Sequence, residues 1–237
     1  MQKRIAVVPA RGGSKRIYKK NIKFFLGNPI ISYTLNTLTE SKLFDKIHIS
    51  TDDLEIKRVV EDLNFKIDFL RDPALADDTT PIMPVIRFVL KEYKKLGLEY
   101  EQVWIVMPCS PLLESKDLIA ANELFERNDR AFPVLAVSEY PAPIEWAFDL
   151  SKDSRLTALN EGMFAKDSKQ LIPKYFDAGS FFIWATHDLN KTNGAGTDRD
   201  LVGYVIPKSK CVDIDDEEDW RLAEALYASR PTKSKIS

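Results

Sequence analysis

The chain has 237 residues, with 34 basic and 36 acidic side chains, a formal net charge of −2 and 44% hydrophobic residues. That balance describes a globular domain with a real core, excludes a generally cationic nucleic-acid binder, and leaves no apolar run near the roughly 18 residues that a membrane span requires. Two cysteines (Cys109, Cys211) and two histidines (His48, His187), scattered along the chain, are too few for a disulfide framework and argue against a four-ligand zinc site or a Ser-His-Asp hydrolase. With no apolar leader at the N-terminus, the expected compartment is the cytoplasm.

The first apolar run, RIAVVPA (4–10), has the Val/Ile-rich, two-sided apolar character of a strand covered on both faces. Similar runs follow: DKIHIST (45–51), EQVWIVMP (101–108), AFPVLAVS (131–138), SFFIWAT (180–186) and LVGYVIP (201–207). Helical periodicity lies between them, over 29–43, 54–63, 84–96 and 116–126, and Asp52 followed by Glu55 has the spacing of a capping box for the second of these. The β-α alternation predicts an α/β fold, a doubly wound, mostly parallel sheet with right-handed crossovers, as a single domain over 1–227. His48, in KIHIS, reads as a packed strand residue and His187 as one that caps or faces water.

One segment breaks the alternation. From about 139 to 176 the chain is rich in Pro and polar residues yet carries Trp146, Phe148, Met163, Phe164, Tyr175 and Phe176. This is an insertion that leaves the sheet and returns at Ser180, and its aromatic residues suit a second subunit. The final residues, 228–237, small, polar and basic, read as a flexible tail.

In open α/β sheets, ligands bind beyond the carboxyl ends of the strands. At the end of the first strand stand six cations between Arg11 and Lys23, a glycine pair (Gly12, Gly13), and no acid before Glu40. Glycines permit close backbone approach, successive amides form anion nests, and Lys15, Lys19 and Lys20 add movable charges to the fixed fork of Arg11. The spacing is neither a Walker A loop nor a dinucleotide fingerprint. By itself the loop is equally a polyphosphate cradle or an idle basic turn. Near the other end, VDIDDEEDW sets six carboxylates between Asp213 and Asp219. Hard oxygen donors with no nearby His or Cys suit Mg²⁺ on a phosphate substrate. Asp215-x-x-Glu218 is equally a capping pattern for a helix carrying Trp220, Ala223, Leu226 and Tyr227 on one face; that leaves Asp213 outside the cap.

VVPARGGSKRIYKKNI, ISTDD, FLRDPALADDTTP, MPCSPL and VDIDDEEDW occur in the order seen in the acylneuraminate cytidylyltransferases, the CMP–sialic acid synthetases, and the resemblance runs from Ile5 to about Tyr227. KQLIPKYFDAGSFFIW resembles the pseudaminic acid cytidylyltransferases in particular. The resemblance implies a nucleotidyltransferase-type Rossmann-like fold, and transfer of CMP from CTP to the anomeric hydroxyl of a nine-carbon nonulosonic acid, with pyrophosphate released. It implies Mg²⁺ as cofactor; the aromatic insertion points to a homodimer, and the charge and hydropathy to no nucleic-acid or membrane partner. Carried over residue by residue, Arg11 and Lys20 are catalytic. Ala10, Arg11, Gly12, Gly13, Ser14, Lys15, Asn21, Arg71, Asp78, Thr80 and Ser110 bind nucleotide. Asp213 and Asp215 hold metal, and Asp177, Lys169 and Met107 meet the sugar acid, with Lys166 a second candidate for its carboxylate.

Four positions depart from the sialic acid pattern: Arg16, Tyr18, Met107 and Asp177. They point away from N-acetylneuraminate as the sugar without touching the triphosphate half. Cys109 stands where a related keto-sugar-acid synthetase has a metal carboxylate, which leaves the metal to Asp213 and Asp215. Its plain role is a small apolar filler at a strand end. Two other functions compete, a sugar-1-phosphate nucleotidyltransferase of the same fold and a non-catalytic nucleotide- or RNA-binding module.

Overall fold

The computed structural model describes residues 3–191 and 196–230. The elements, in chain order, are β1 (Arg4–Pro9), β2 (Phe24–Phe25), β3 (Asn28–Pro29), α1 (Ile30–Ser41), β4 (Lys46–Ser50), α2 (Leu54–Asp62), α3 (Ile82–Lys95), β5 (Gln102–Val106), α4 (Ser115–Arg127), β6 (Val134–Glu139), β7 (Phe148–Leu150), β8 (Leu156–Ala158), β9 (Tyr175–Ala185), β10 (Val202–Val205) and α5 (Glu217–Ala228). Six strands form the central sheet in the order β10-β6-β9-β5-β1-β4. No helix among the described residues is long and apolar enough to cross a membrane.

Alternation along β1 distributes the core. Ala6, Val8 and Ala10 join one apolar cluster with Leu35, Leu38, Val60, Leu118 and Phe125 from α1, α2 and α4. Ile5 and Val7 point the other way, against Met83, Ile86, Val89 and Tyr93 of α3. A strand buried on both faces must be apolar at consecutive positions, which is why RIAVVPA lacks a polar beat.

The sheet is parallel except at β9, which runs antiparallel to both β5 and β6. The insertion explains the exception. The chain leaves β6 at its carboxyl end and re-enters from the same side, so Glu139 pairs with Tyr175 and Val137 with Asp177. Re-entry is therefore at Tyr175, not at Ser180, because Asp177, Ala178 and Gly179 are themselves part of β9. Between β6 and β9 the insertion folds on itself: β7 and β8 pair as a hairpin, and Trp146 Nε1 donates to Met163 O at 3.2 Å. α5 carries the chain to Ala228, and Arg230 donates to Leu112 O; the rest of the expected tail, 231–237, lies outside the described residues.

A third cluster ties the two chain ends together. Ile17, Phe25 and Ile30 pack with Ile214, Trp220 and Ala223. Phe25 meets Tyr33, Trp220 and Tyr227 edge-on at centroid distances of 5.3, 5.6 and 5.8 Å. This packing sets the loop after β1 beside the segment before α5.

His48 is a core residue, fully buried in β4. Its Nδ1 lies 3.0 Å from Tyr93 OH, whose proton is spent on Asp68 Oδ2 at 2.8 Å, so Nδ1 is the donor. Nε2 has no partner among the described residues. Burial, aided by Lys46, pushes the pKa down to about 3 from an ordinary 6.5. A depressed value means that this contribution to stability is intact above about pH 6.5 and is lost as pH falls toward 3. Against His48→Phe, the wild type should lose about 1.4 kcal/mol more for each pH unit below 6.5, measured by denaturant unfolding between pH 7 and 5. Parallel curves for the two proteins would contradict this.

Candidate active site

A cleft of about 540 Å³ opens at the carboxyl ends of β1 and β5. Arg11, Gly13, Ser14, Lys15, Lys20 and Asn21 line one side, Asp213 and Asp215 another, with Asp78 and Met107 at the walls. The cationic loop and the acidic segment thus face each other across one space. Of the loop cations, Arg11, Lys15, Arg16 and Lys20 line the cleft, while Lys19 pairs with Glu55 and Lys23 with Glu217.

The loop is built on close approach. Gly12 N–H donates to Asp52 Oδ1 at 3.2 Å, and a Cβ at Gly12 would lie 2.9 Å from the Asp53 Cβ, closer than two side chains can come. Ser14 N–H donates to Gly12 O at 3.0 Å. Two amides expected to form an anion nest are therefore spent within the protein, and the positive character of the loop comes from its side chains. Asp52 serves the loop because the cap of α2 is Asp53, whose carboxylate accepts from Glu55 N and Ile56 N. The expected Asp52–Glu55 box is off by one residue: Asp53 has the extended backbone of a cap, with φ −96° and ψ 125°.

The same shift occurs at α5. Asp216, not Asp215, is the N-cap, in a capping box with Asp219. This releases Asp215. Ile214 is buried in the cluster with Trp220, so Asp213 and Asp215 on either side of it turn to the cleft. The segment is held from behind by Lys210, whose Nζ lies 2.7 Å from Asp117 Oδ2 at the start of α4.

Lys20 sits in a short 3-10 turn and donates to Ile214 O at 2.5 Å, with Asp215 Oδ1 at 3.5 Å. Arg16 Nη2 lies 2.8 Å from the same Asp215 oxygen. Arg11 donates to Asp77 O at 2.9 Å and Asp78 Oδ1 at 2.7 Å, and Lys15 pairs with the other Asp78 oxygen. Lys15 and then Arg11 hold the Asp78 carboxyl below its usual range. Asp213 has no hydrogen-bond or ion-pair partner among the described residues. The cleft walls strip part of its hydration, Asp215 and Asp177 add like charge, and its pKa rises despite Lys20. Gly179 makes this corner possible: its φ is +61°, and a Cβ there would come within 3.3 Å of the Asp213 carboxyl carbon.

Most other expected site residues lie beside the cleft without lining it. Ala10 is buried below the loop, and Arg71, also buried, donates to Ser50 Oγ at 3.1 Å and Ser50 O at 2.8 Å. Burial draws the Arg71 pKa down while Asp52 opposes it. Thr80 is tied to Asp77 at 2.9 Å, and Ser110 is buried with its N–H toward Thr34 Oγ1 at 3.4 Å. Asn21 lines the cleft but is committed at both ends, donating to Arg11 O at 2.9 Å and accepting from Cys109 Sγ at 3.4 Å. Burial pushes the Cys109 thiol up to about 12, which keeps it a donor. Asp177, exposed, accepts from Gly179 N at 2.9 Å. Lys169 is in the insertion and is not among the lining residues. His187 lies at a separate cleft with Lys3, Tyr100 and Thr186. Pro9, Pro108, Arg16 and Gly179 also line the site; each lies in one of the quoted motifs, and Arg16 belongs to the charge run as well.

The chain is similar to known proteins over most of its length. A family model described as cytidylyltransferase matches residues 5–146. The pseudaminic acid cytidylyltransferase of Campylobacter jejuni is 32% identical over 231 residues, 95% of this chain and 96% of the relative. The CMP-N,N'-diacetyllegionaminic acid synthase of Legionella pneumophila is 26% identical over 94% of this chain and 95% of its own. The N-acylneuraminate cytidylyltransferase of Escherichia coli is 29% identical over 95% of this chain, which spans 52% of that longer protein. Among solved structures, a CMP:2-keto-3-deoxy-manno-octonic acid synthetase in complex with CTP shares the fold, with a TM-score of 0.69 at 12% identity over 96% of this chain and 99% of that one. A cationic loop that is neither Walker nor dinucleotide type, facing a carboxylate pair across a strand-end cleft, accompanies sequence identity along nearly the whole chain: this protein belongs to the cytidylyltransferase family, on the acylneuraminate and pseudaminic acid branch.

Proposed function

We propose that the protein transfers CMP from CTP to the anomeric hydroxyl of a nonulosonic acid, pseudaminic-like before sialic, and releases pyrophosphate. The observation that carries this is the single cleft in which Arg11, Lys15 and Lys20 oppose Asp213 and Asp215. The anomeric hydroxyl releases its proton to solvent as its oxygen forms a bond to the α-phosphorus and the bond from that phosphorus to the pyrophosphate breaks. Negative charge grows on the departing pyrophosphate, so cations fixed in advance lower the barrier most. Lys20 is such a cation, pinned by Ile214 O. Arg11 and Lys15, tied to Asp78 without ligand, are free to turn to phosphate oxygens by exchanging one anion for another.

The donor set fits Mg²⁺ carried by the substrate. Among the described residues no third His, Cys, Asp or Glu completes a cluster able to enclose an ion. Two carboxylates suffice for Mg²⁺, which keeps waters and phosphate oxygens as its other ligands. Asp213 and Asp215 would hold it, and it would supply charge neutralisation at the phosphates.

Met107 and Asp177, near the Asp213 corner, support a sugar other than N-acetylneuraminate. The exposed Leu150, Leu156, Phe164 and Ile172 of the insertion support a homodimer formed through 139–176. Two free cysteines fit a reducing, cytoplasmic setting. The test is pyrophosphate release from CTP with pseudaminic, legionaminic and sialic acids, with and without Mg²⁺, and product identified by mass. Pseudaminic acid should exceed sialic acid in kcat/KM by at least about ten-fold. Absence of turnover across the panel, or a nucleoside diphosphate sugar formed from a sugar 1-phosphate, would refute the proposal.

A further inference from the structure

Two cations converge on one oxygen of Asp215: Arg16 Nη2 at 2.8 Å and Lys20 Nζ at 3.5 Å. They are held differently. The Lys20 side chain is 22% exposed and has a second anchor in Ile214 O. The Arg16 side chain is 68% exposed and pairs with Asp215, with Asp216 close enough to feel its charge. The next residue, Ile17, is buried against Ile214 and Trp220. The backbone at Arg16 is thus anchored at the cleft while its guanidinium is free to swing. An exposed ion pair is weak enough to exchange, and a guanidinium fork matches phosphate as well as carboxylate.

We propose that Arg16 is an exchangeable counter-cation of the carboxylate pair: it holds Asp215 while no divalent cation is present, and moves to the nucleotide's phosphates once Asp215 is coordinated. The inference rests on Asp213 and Asp215 being the metal pair. The charge balance supports the exchange. Among the described residues, four cations and three carboxylates line the cleft. When Asp215 accepts a divalent ion, the released Arg16 adds one more positive charge on the phosphate side, and at no stage is Asp215 left without a partner. Lys20, still held by Ile214 O, stays in place, so Arg16 is a nucleotide-binding residue that couples metal entry to nucleotide entry.

The test uses the full-length protein, Arg16→Gln and Arg16→Lys, with thermal unfolding as a check of fold. Mn²⁺ binding without nucleotide is read by its paramagnetic signal, and CTP binding by calorimetry with and without Mg²⁺. Arg16→Gln should bind Mn²⁺ about two- to five-fold more tightly than wild type. It should bind CTP about ten-fold more weakly in Mg²⁺, yet within about two-fold of wild type in its absence. Arg16→Lys, which keeps a cation, should fall between. Equal loss of CTP affinity with and without Mg²⁺ would make Arg16 a permanent phosphate ligand and overturn the exchange. No change in either measurement would make the pair an inert surface contact and overturn it too. If no protein binds Mn²⁺ and Mg²⁺ leaves wild-type CTP binding unaltered, the metal pair itself fails, and the inference with it.

Discussion

Lys20→Ala should lower kcat by about 10²- to 10³-fold, the effect of removing one preorganised donor from a developing anion. The fold should survive. Lys20 leaves the chain at a surface turn, and what the variant loses in the ligand-free protein is one bond to Ile214 O and a 3.5 Å contact with Asp215. KM for CTP should change far less than kcat, because the Lys20 charge matters most when pyrophosphate departs. Lys20→Arg should not restore activity: a planar fork cannot donate to Ile214 O at 2.5 Å and keep the same direction into the cleft. Steady-state kinetics with pyrophosphate detection, beside an unfolding curve, decides the matter. Near wild-type turnover in Lys20→Ala would remove the residue from the site.

Asp213→Asn should lower kcat by about 10²-fold or more and flatten the dependence of the remaining activity on Mg²⁺ concentration. Its effect on stability should be small, within about 1 kcal/mol, since Asp213 opens onto the cleft and has no hydrogen-bond or ion-pair partner among the described residues whose loss would be felt. The direction favours the variant. A carboxyl whose pKa is raised by folding destabilises the native state above that value, through desolvation and the repulsion of Asp215 and Asp177, and an amide removes that cost. A protein slightly more stable and far less active is the expected pair of results. Asp215→Asn should show the same loss of metal response, though it also releases Arg16 and Lys20. An unchanged Mg²⁺ titration in both variants would reduce the two aspartates to loop acids.

Much of the site could be read from local pattern because its parts are local. The run AVVP ending in ARGGSK announces a buried strand followed by a cationic turn, and the loop after β1 is that turn. The acids of VDIDDEEDW include a helix cap and two residues outside the helix, and the division between them follows from the burial of Ile214. Where several acids stand together, local pattern places the cap one residue early. Asp52 and Asp53, or Asp215 and Asp216, have equivalent chemistry, and only the extended backbone at Asp53 and Asp216 made each the cap. Those one-residue shifts matter for function, since they gave Asp52 to Gly12 and Asp215 to the cleft. The antiparallel course of β9 was likewise hidden: an apolar strand looks the same in either direction, and its direction depends on the side from which the insertion returns.

The amino-acid sequence alone determined the α/β alternation, the two-sided burial of β1, and the presence of one cationic and one acidic pole, because each depends on residues within a few positions of one another. That the poles form one site was decided by tertiary structure. Lys20 and Ile214 are 194 residues apart, and they meet because Phe25, Ile17 and Ile30 pack with Trp220 and Ala223 behind the cleft. That aromatic and aliphatic packing is non-directional and acts over any sequence distance, so no local spacing encodes it. It is nonetheless what turns a basic turn and a capped helix into opposite walls of one cleft.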